Sequence, residues 1–316
     1  MSKKYLLTFA ATAAVLALTA CGQSGTVGAQ DQETASGTVS ITHAQGTQDV
    51  PVNPKKVYTF DLGVLDTLDV LEVPVAGVPQ ANLPEALQEY ASKDLTNIGT
   101  MKEPDFEAIS AGAPDLIIIS GRTAGSYAEL SKIAPTIDLS VDAKSPIESF
   151  KTVSASLGKI FDKEAVVAEK IKAIDAKIAD TNTKAPAAGT GLIVLTSGGE
   201  LTAYGAGSRF GLIHDVLGVP TATDVKGEGS HGEAISHEFI AKANPGSLYV
   251  IDRDVATGES AGAAKAVLDN PLVKGTDAAK NDRITYLEPA SWYLVGYGLN
   301  NVDAMVGAIA GSVAKA

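Results

Sequence analysis

Six short apolar runs recur along the chain, at 57–60, 75–78, 116–119, 192–195, 248–251 and 284–287. Each suits a buried strand and is too short for an ordinary helix. Amphipathic segments separate several of them: Glu107-Ala108-Ile109 opens one, and 127–133 forms another. Strands alternating with helices predict an α/β protein built on mainly parallel sheets.

The middle of the chain breaks this rhythm. From about 145 to 183 there is no strand pattern. Phe150, Val153 and Leu157 repeat at helical spacing, and after Gly158 the pattern resumes at Val167, Ile171, Ile174 and Ile178. The spacing predicts a short helix and then a long one starting near Asp162, ended by NTKAPAAGTG at 182–191. The expected organisation is an N-terminal α/β lobe over 38–145, a helical bridge over 146–183 and a C-terminal α/β lobe over 184–316. A stiff bridge predicts only modest hinge motion.

The first residues are of another kind. Lys3 and Lys4 precede an apolar stretch over 5–20 that is short for a membrane span, ending Leu18-Thr19-Ala20-Cys21. Small residues before the single cysteine of the chain fit a lipoprotein cleavage site. The expectation is a signal peptide over 1–20 and a lipid on Cys21; the plainer alternative is a secretory signal that contains a cysteine. One thiol excludes an internal disulfide framework. Small polar residues without periodicity fill 22–37, which reads as a flexible tether following Cys21. The net charge of −12 argues against nucleic acid as a partner.

The two halves echo one another. FEAISAGAPDLIIISGR carries Glu107, Pro114 and Arg122; HEFIAKANPGSLYVIDR carries Glu238, Pro245 and Arg253, at the same separations. Each unit reads as a short helix, a turn, a strand and an arginine. Ligands of open α/β sheets sit beyond the carboxyl ends of the strands, so Arg122 and Arg253 are candidates to face a common cleft. The competing reading is local pairing, for which Asp252 and Asp254 flank Arg253.

Further candidates follow. Arg209 stands in YGAGSRFG (204–211), whose glycines lack the dinucleotide-binding spacing. His231 and His237 lie in KGEGSHGEAISHEF (226–239). His231 is next to Gly232 and free to reach a ligand or to stay on the surface, and His237 reads as structural or exposed. Two loop histidines are weak grounds for a metal site made from protein alone. EPASWYLVGYGLNN (288–301) holds the only tryptophan, Trp292, with Tyr293 and Tyr297. A phenol can line an apolar wall or, near ferric iron, ionise and coordinate. No G-x-S-x-G or H-E-x-x-H is present, and nothing in the pattern asks for catalytic turnover.

Several motifs in order carry a resemblance: the lipobox and tether, NPKKVYTFDLGVLDTLDVLEVPVAGVP, EPDFEAISAGAPDLIIISGR, the long helix, GSRFG, HGEAISHEFIAKANPGSLYVIDRD and SWYLVGYGLNN. Together they resemble the siderophore-binding lipoproteins of bacterial ABC importers, in the branch that binds ferric catecholates such as enterobactin and petrobactin. The resemblance implies two Rossmann-like lobes bridged by one long helix, with the ligand in the cleft between them. It implies no permanent cofactor, a ferric siderophore as ligand, ABC permease subunits as partners, an extracytoplasmic lipid-anchored monomer, and no enzymatic step. Haem, cobalamin or another ferric chelate is the alternative ligand. Carried over by motif, Arg122, Arg209 and Arg253 surround the anionic iron complex. His231 and Tyr293, with Tyr297 as the weaker choice, complete the iron shell where the siderophore leaves it open. Glu107 and Glu238 dock to the permease, although either glutamate also suits a helix N-terminus. A ferric tris-catecholate has a net charge of about −3, which planar guanidinium forks suit in charge and geometry.

Overall fold

The computed structural model describes residues 37–226, 232–259 and 263–315. Cys21 and the leader lie outside the described residues, as does His231. An antiparallel hairpin comes first, β1 (Thr38–His43) with β2 (Gly46–Pro51). Polar and apolar residues alternate along β1 and polar residues dominate β2, which gives neither the continuous apolar run that marked the others.

All six apolar runs contribute strands. The first sheet comprises β3 (Val57–Thr59), β4 (Gly77–Val78), β5 (Thr96–Asn97), β6 (Leu116–Ile119) and β7 (Thr136–Asp138). Its order is β5-β4-β3-β6-β7 and every pairing is parallel. The second comprises β8 (Gly191–Ser197), β9 (Glu200–Tyr204), β10 (Glu233–Ile235), β11 (Ser247–Asp252) and β12 (Ile284–Tyr286), in the order β10-β9-β8-β11-β12. Here β9 runs antiparallel to both neighbours. The cause is local: Gly198 and Gly199, both at positive φ (57° and 85°), close a two-residue hairpin between β8 and β9. Since β9 reverses twice, β10 again runs with β8, β11 and β12. Fold class is therefore α/β with mostly parallel sheets.

The bridge is two helices, Pro146–Ile160 and the 21-residue Glu164–Lys184. The second starts two residues later than the periodicity predicts. Asp162 adopts a left-handed conformation (φ 52°) and accepts a 2.5 Å hydrogen bond from Asn53 Nδ2, which turns the chain before the long helix begins. The C-terminal helix Leu299–Val313 is tied to the long helix by an ion pair from Lys177 Nζ to Asp303 Oδ1 at 2.6 Å. One apolar core runs through both halves, joining Leu65, Phe150, Ile174, Ile251 and Val302. Smaller clusters cover the other face of each sheet. A core shared between the halves opposes large hinge motion, because opening it would expose close-packed apolar surface.

Candidate functional site

The sequence echo is a structural repeat. Helix Phe106–Gly112 begins at Asp105, whose side chain accepts from Ala108 N; helix His237–Ala243 begins at Ser236, which accepts from Phe239 N. Each helix ends at a left-handed residue, Ala113 (φ 46°) or Asn244 (φ 41°), immediately before the repeated proline. The proline cannot continue the helix and redirects the chain into the strand. Those strands, β6 and β11, occupy the same place in their respective sheets. Both helices start just beyond the carboxyl end of an edge strand, β5 or β10. Glu107 and Glu238 thus lie at corresponding positions, and both are exposed. The Glu238 carboxyl is held below its ordinary range by hydrogen bonds from the Ser236 hydroxyl and its own N–H, and by nearby His237. His237 itself is partly buried, with Nε2 2.8 Å from the Val267 carbonyl.

The three candidate arginines converge on a single residue. Tyr293 belongs to a wide π-helical turn, Ser291–Val295. Arg122 donates through Nη2 to the Tyr293 carbonyl at 2.6 Å and through Nη1 to the Leu294 carbonyl at 3.1 Å. Arg209 donates through Nη2 to the same Tyr293 carbonyl at 3.0 Å, with its guanidinium 4.7 Å from the Tyr293 ring centre and 4.8 Å from that of Phe210. Arg253 donates through Nε to the Tyr293 hydroxyl at 3.0 Å and through Nη1 to Ser197 Oγ at 3.1 Å. The last carbonyls of a helical turn lack partners within it, so guanidinium forks satisfy groups that would otherwise need water.

Charge distinguishes the arginines. Among the described residues, neither Arg122 nor Arg209 has a carboxylate within ion-pair distance. Arg253 has two at the margin, Asp254 at 3.8 Å and Glu259 at 3.7 Å. The acids flanking Arg253 are used elsewhere: Asp252 accepts from Val255 N and Ala264 N, and Asp254 from Gly198 N. Burial, followed by repulsion from Arg122, lowers the affinity of Arg209 for its proton. Two cations near one carbonyl with no counter-ion form a site that favours an anion.

Arg122 and Arg209 line a cavity of about 490 Å³. Its wall draws on both halves, with Asp61, Ser120 and Ser140 from the first and Trp292, Tyr293 and Tyr297 from the second. Arg253 does not line it but stands behind Tyr293. Tyr297 is on the wall, and burial raises its hydroxyl well above the ordinary phenol value, so its phenolate is disfavoured. A second cavity of about 350 Å³ carries Glu85 and Glu288 and no arginine, which makes it the wrong sign for an anion. Sequence reasoning did not single out Asp61, Ser120 or Ser140. Asp61 caps helix Leu62–Val70 by accepting from Val64 N, so its sequence signal is that of a helix start. Among the described residues, no three or more His, Cys, Asp or Glu side chains are grouped to hold a metal ion. No described helix is long and apolar enough to cross a membrane.

Comparison with known proteins places this geometry. The family model described as periplasmic binding protein matches residues 57–290. Over 310 residues the chain is 42% identical to the petrobactin-binding protein YclQ of Bacillus subtilis (strain 168), spanning 96% of this chain and 97% of that one. It is 31% identical to the ferric-anguibactin-binding protein FatB of Vibrio anguillarum, over 85% of each chain. The crystal structure of the petrobactin-binding protein superposes with a TM-score of 0.84, covering 88% of this chain and 99% of that one at 43% identity. The periplasmic catecholate-siderophore binding protein VctP of Vibrio cholerae superposes with a TM-score of 0.82, covering 87% and 100% at 36% identity.

Proposed function

Because the chain belongs to the periplasmic binding protein family, we propose that it captures a ferric siderophore of the catecholate class outside the cytoplasm and delivers it to an ABC importer. The carrying observation is the pair Arg122 and Arg209, which meet at the Tyr293 carbonyl on the cavity wall with no described carboxylate within ion-pair distance of either. A ferric catecholate supplies that balance. Its oxygens are acceptors with negative charge, and a guanidinium fork donates to two of them at once. At an effective dielectric of about 20, one charge pair at about 4 Å gains roughly 4 kcal/mol before desolvation. Both arginines are partly buried and held by main-chain carbonyls, so part of the cost of ordering them is met by the fold.

The relative at 42% identity is named for petrobactin, so ferric petrobactin is the first ligand to try, ahead of enterobactin. Tyr293, on the cavity wall, and Arg253, which donates to its hydroxyl, are proposed as further parts of this site, and His231, outside the described residues, is the proposed further iron ligand. Glu107 and Glu238, exposed at matched helix starts, are the proposed contacts to the permease. Cys21, also outside the described residues, is the proposed lipid attachment. The protein acts as a monomeric carrier without turnover. Titration of the intrinsic fluorescence with ferric petrobactin, ferric enterobactin and a ferric hydroxamate tests the reading. Tight catecholate binding is expected; tight hydroxamate binding with none for either catecholate overturns it.

A further inference from the structure

The turn bearing Tyr293 is secured by one side chain that does not face the cavity. Asn301, the third residue of helix Leu299–Val313, is buried. Its Nδ2 donates to the Ser291 carbonyl at 2.9 Å and to the Gly296 carbonyl at 2.6 Å. Its Oδ1 accepts from Ser291 Oγ at 2.5 Å. One amide thus holds the first residue of the turn and the glycine that ends it. The carbonyls between them, of Tyr293 and Leu294, are those that receive the arginines.

The backbone that carries Asn301 is fixed in turn from the opposite half of the protein. Asp66 Oδ2, on helix Leu62–Val70, accepts from Asn300 N at 2.9 Å and from Asn301 N at 3.1 Å. Thr67 Oγ1 accepts from Leu299 N at 3.2 Å. Gly298 allows this approach, since a Cβ there would lie 2.4 Å from Asp66 Oδ2 and 2.6 Å from the Gly63 carbonyl. The C-terminal helix therefore has its N-terminus capped by the first lobe, and its third residue grips the ligand-facing turn.

We propose that Asn301 is a positioning residue for the ligand cleft: its side-chain amide fixes both ends of the Ser291–Val295 turn and so sets where Arg122 and Arg209 meet. The proposal rests on the binding function given above. It follows from the inventory of groups present. A wide turn leaves more main-chain acceptors unpaired than an α-helical one, and a primary amide supplies two donors and an acceptor from a single rigid plane. No other residue type at 301 offers that combination at that length.

The chain contains one tryptophan, Trp292, and it sits within the turn, buried. Its emission reports the turn directly and needs no ligand. In Asn301→Asp, which keeps the shape and loses both donors, the Trp292 emission is expected to move to the red. Affinity for ferric petrobactin is expected to fall at least roughly tenfold. Ser291→Ala, which removes one bond of the three, is expected to fold readily and lose affinity by about threefold. The control is Asp303→Asn on the same helix, which removes the ion pair to Lys177 and leaves the turn untouched. Unchanged Trp292 emission in a folded Asn301→Asp overturns the proposal. So does an emission shift with unchanged affinity, or an equal affinity loss in Asp303→Asn. If the unaltered protein binds no ferric catecholate, the ligand reading fails, and the emission arm alone then decides the role of Asn301.

Discussion

Arg122 Nη2 lies 2.6 Å from the carbonyl oxygen of Tyr293, a residue 171 positions further along the chain. The contact joins the two halves across the cavity through a charged donor and a neutral acceptor. A catecholate oxygen is a stronger acceptor than a peptide carbonyl because it carries negative charge. Under the proposed function, a bound catecholate would offer Arg122 a stronger partner than the Tyr293 carbonyl.

Replacement of Arg122 or Arg209 by alanine is expected to weaken ferric catecholate binding by about 10- to 100-fold each, the usual worth of a charge-assisted hydrogen bond. The two losses are expected not to add, since the groups share one acceptor. Arg122→Lys is expected to recover only part of the affinity, because a single ammonium cannot repeat the forked contact to the Tyr293 and Leu294 carbonyls. Equilibrium titration of the three single variants and of the Arg122→Ala, Arg209→Ala double checks this, and full recovery by lysine counts against bidentate recognition.

The arginines were legible in the sequence because they are repeated. Arg122 and Arg253 end matched units, and the structure matches those units down to the helix cap and the left-handed residue before proline. Five of the six apolar strands were legible because they are buried on both faces, and β12 because its run stays mostly apolar although Tyr286 is exposed. β1, β2 and β9 were not: β1 and β2 each bury a single residue, Ile41 or Val50, β9 breaks its apolar residues with Thr202, and β5 consists of Thr96 and Asn97 alone. Asn301 carried no signal at all. Its partners are main-chain carbonyls of a turn, and main-chain groups have no letter in a sequence. Asp66 carried no signal either, since its partners are main-chain N–H groups of a segment more than two hundred residues later.

Tyr293 and Tyr297 are expected to separate clearly in spectroscopy. The Tyr297 hydroxyl is buried on the cavity wall, its ring 6.4 Å from that of Phe150, and its proton is held far more tightly than usual. The Tyr293 hydroxyl instead has the Arg253 cation at 3.0 Å. With a siderophore that leaves iron positions open, Tyr293→Phe is expected to change the charge-transfer band and Tyr297→Phe to leave it in place. A band that moves only with Tyr297→Phe reverses the assignment.

Glu107 and Glu238 are expected to separate binding from transport. Both are exposed, at matched helix starts and away from the cavity lining. The double variant Glu107→Gln, Glu238→Gln is expected to keep wild-type affinity for the siderophore and to lose siderophore-dependent iron uptake in cells. Uptake at the unaltered rate removes the docking assignment while leaving the ligand site intact.

Gly63 is expected to tolerate no side chain. A Cβ there would lie 2.9 Å from the Tyr297 carbonyl carbon and oxygen and from the Val295 carbonyl oxygen, all main-chain atoms. Helix Leu62–Val70 uses this glycine to bring the first lobe against the segment that follows the Tyr293 turn. Alanine favours helices over glycine, so at an exposed site the change would stabilise. Here overpacking is expected to dominate, with a net loss of about 1–3 kcal/mol and weaker ligand binding. A thermal midpoint at or above that of the unaltered protein contradicts the close approach.

Asp66 makes stability depend on pH in an unusual direction. Burial, offset in part by the N–H groups of Asn301 and Asn300 and reinforced by the Asp69 charge, raises its carboxyl from 3.8 to about 6. The folded protein thus binds this proton more tightly than the unfolded chain does. The associated stability is fully present below about pH 4, the unfolded value, and is lost as pH rises through about 6. The shift corresponds to roughly 3 kcal/mol between the two limits. Asp66→Asn carries no such proton, and its amide oxygen can still accept from the helix N-terminus. The thermal midpoint of the unaltered protein, measured relative to Asp66→Asn, is therefore expected to fall between pH 4 and pH 7. A difference that stays constant or rises over that interval shows that the Asp66 carboxylate is stabilised by the helix N–H groups more than it is penalised by burial.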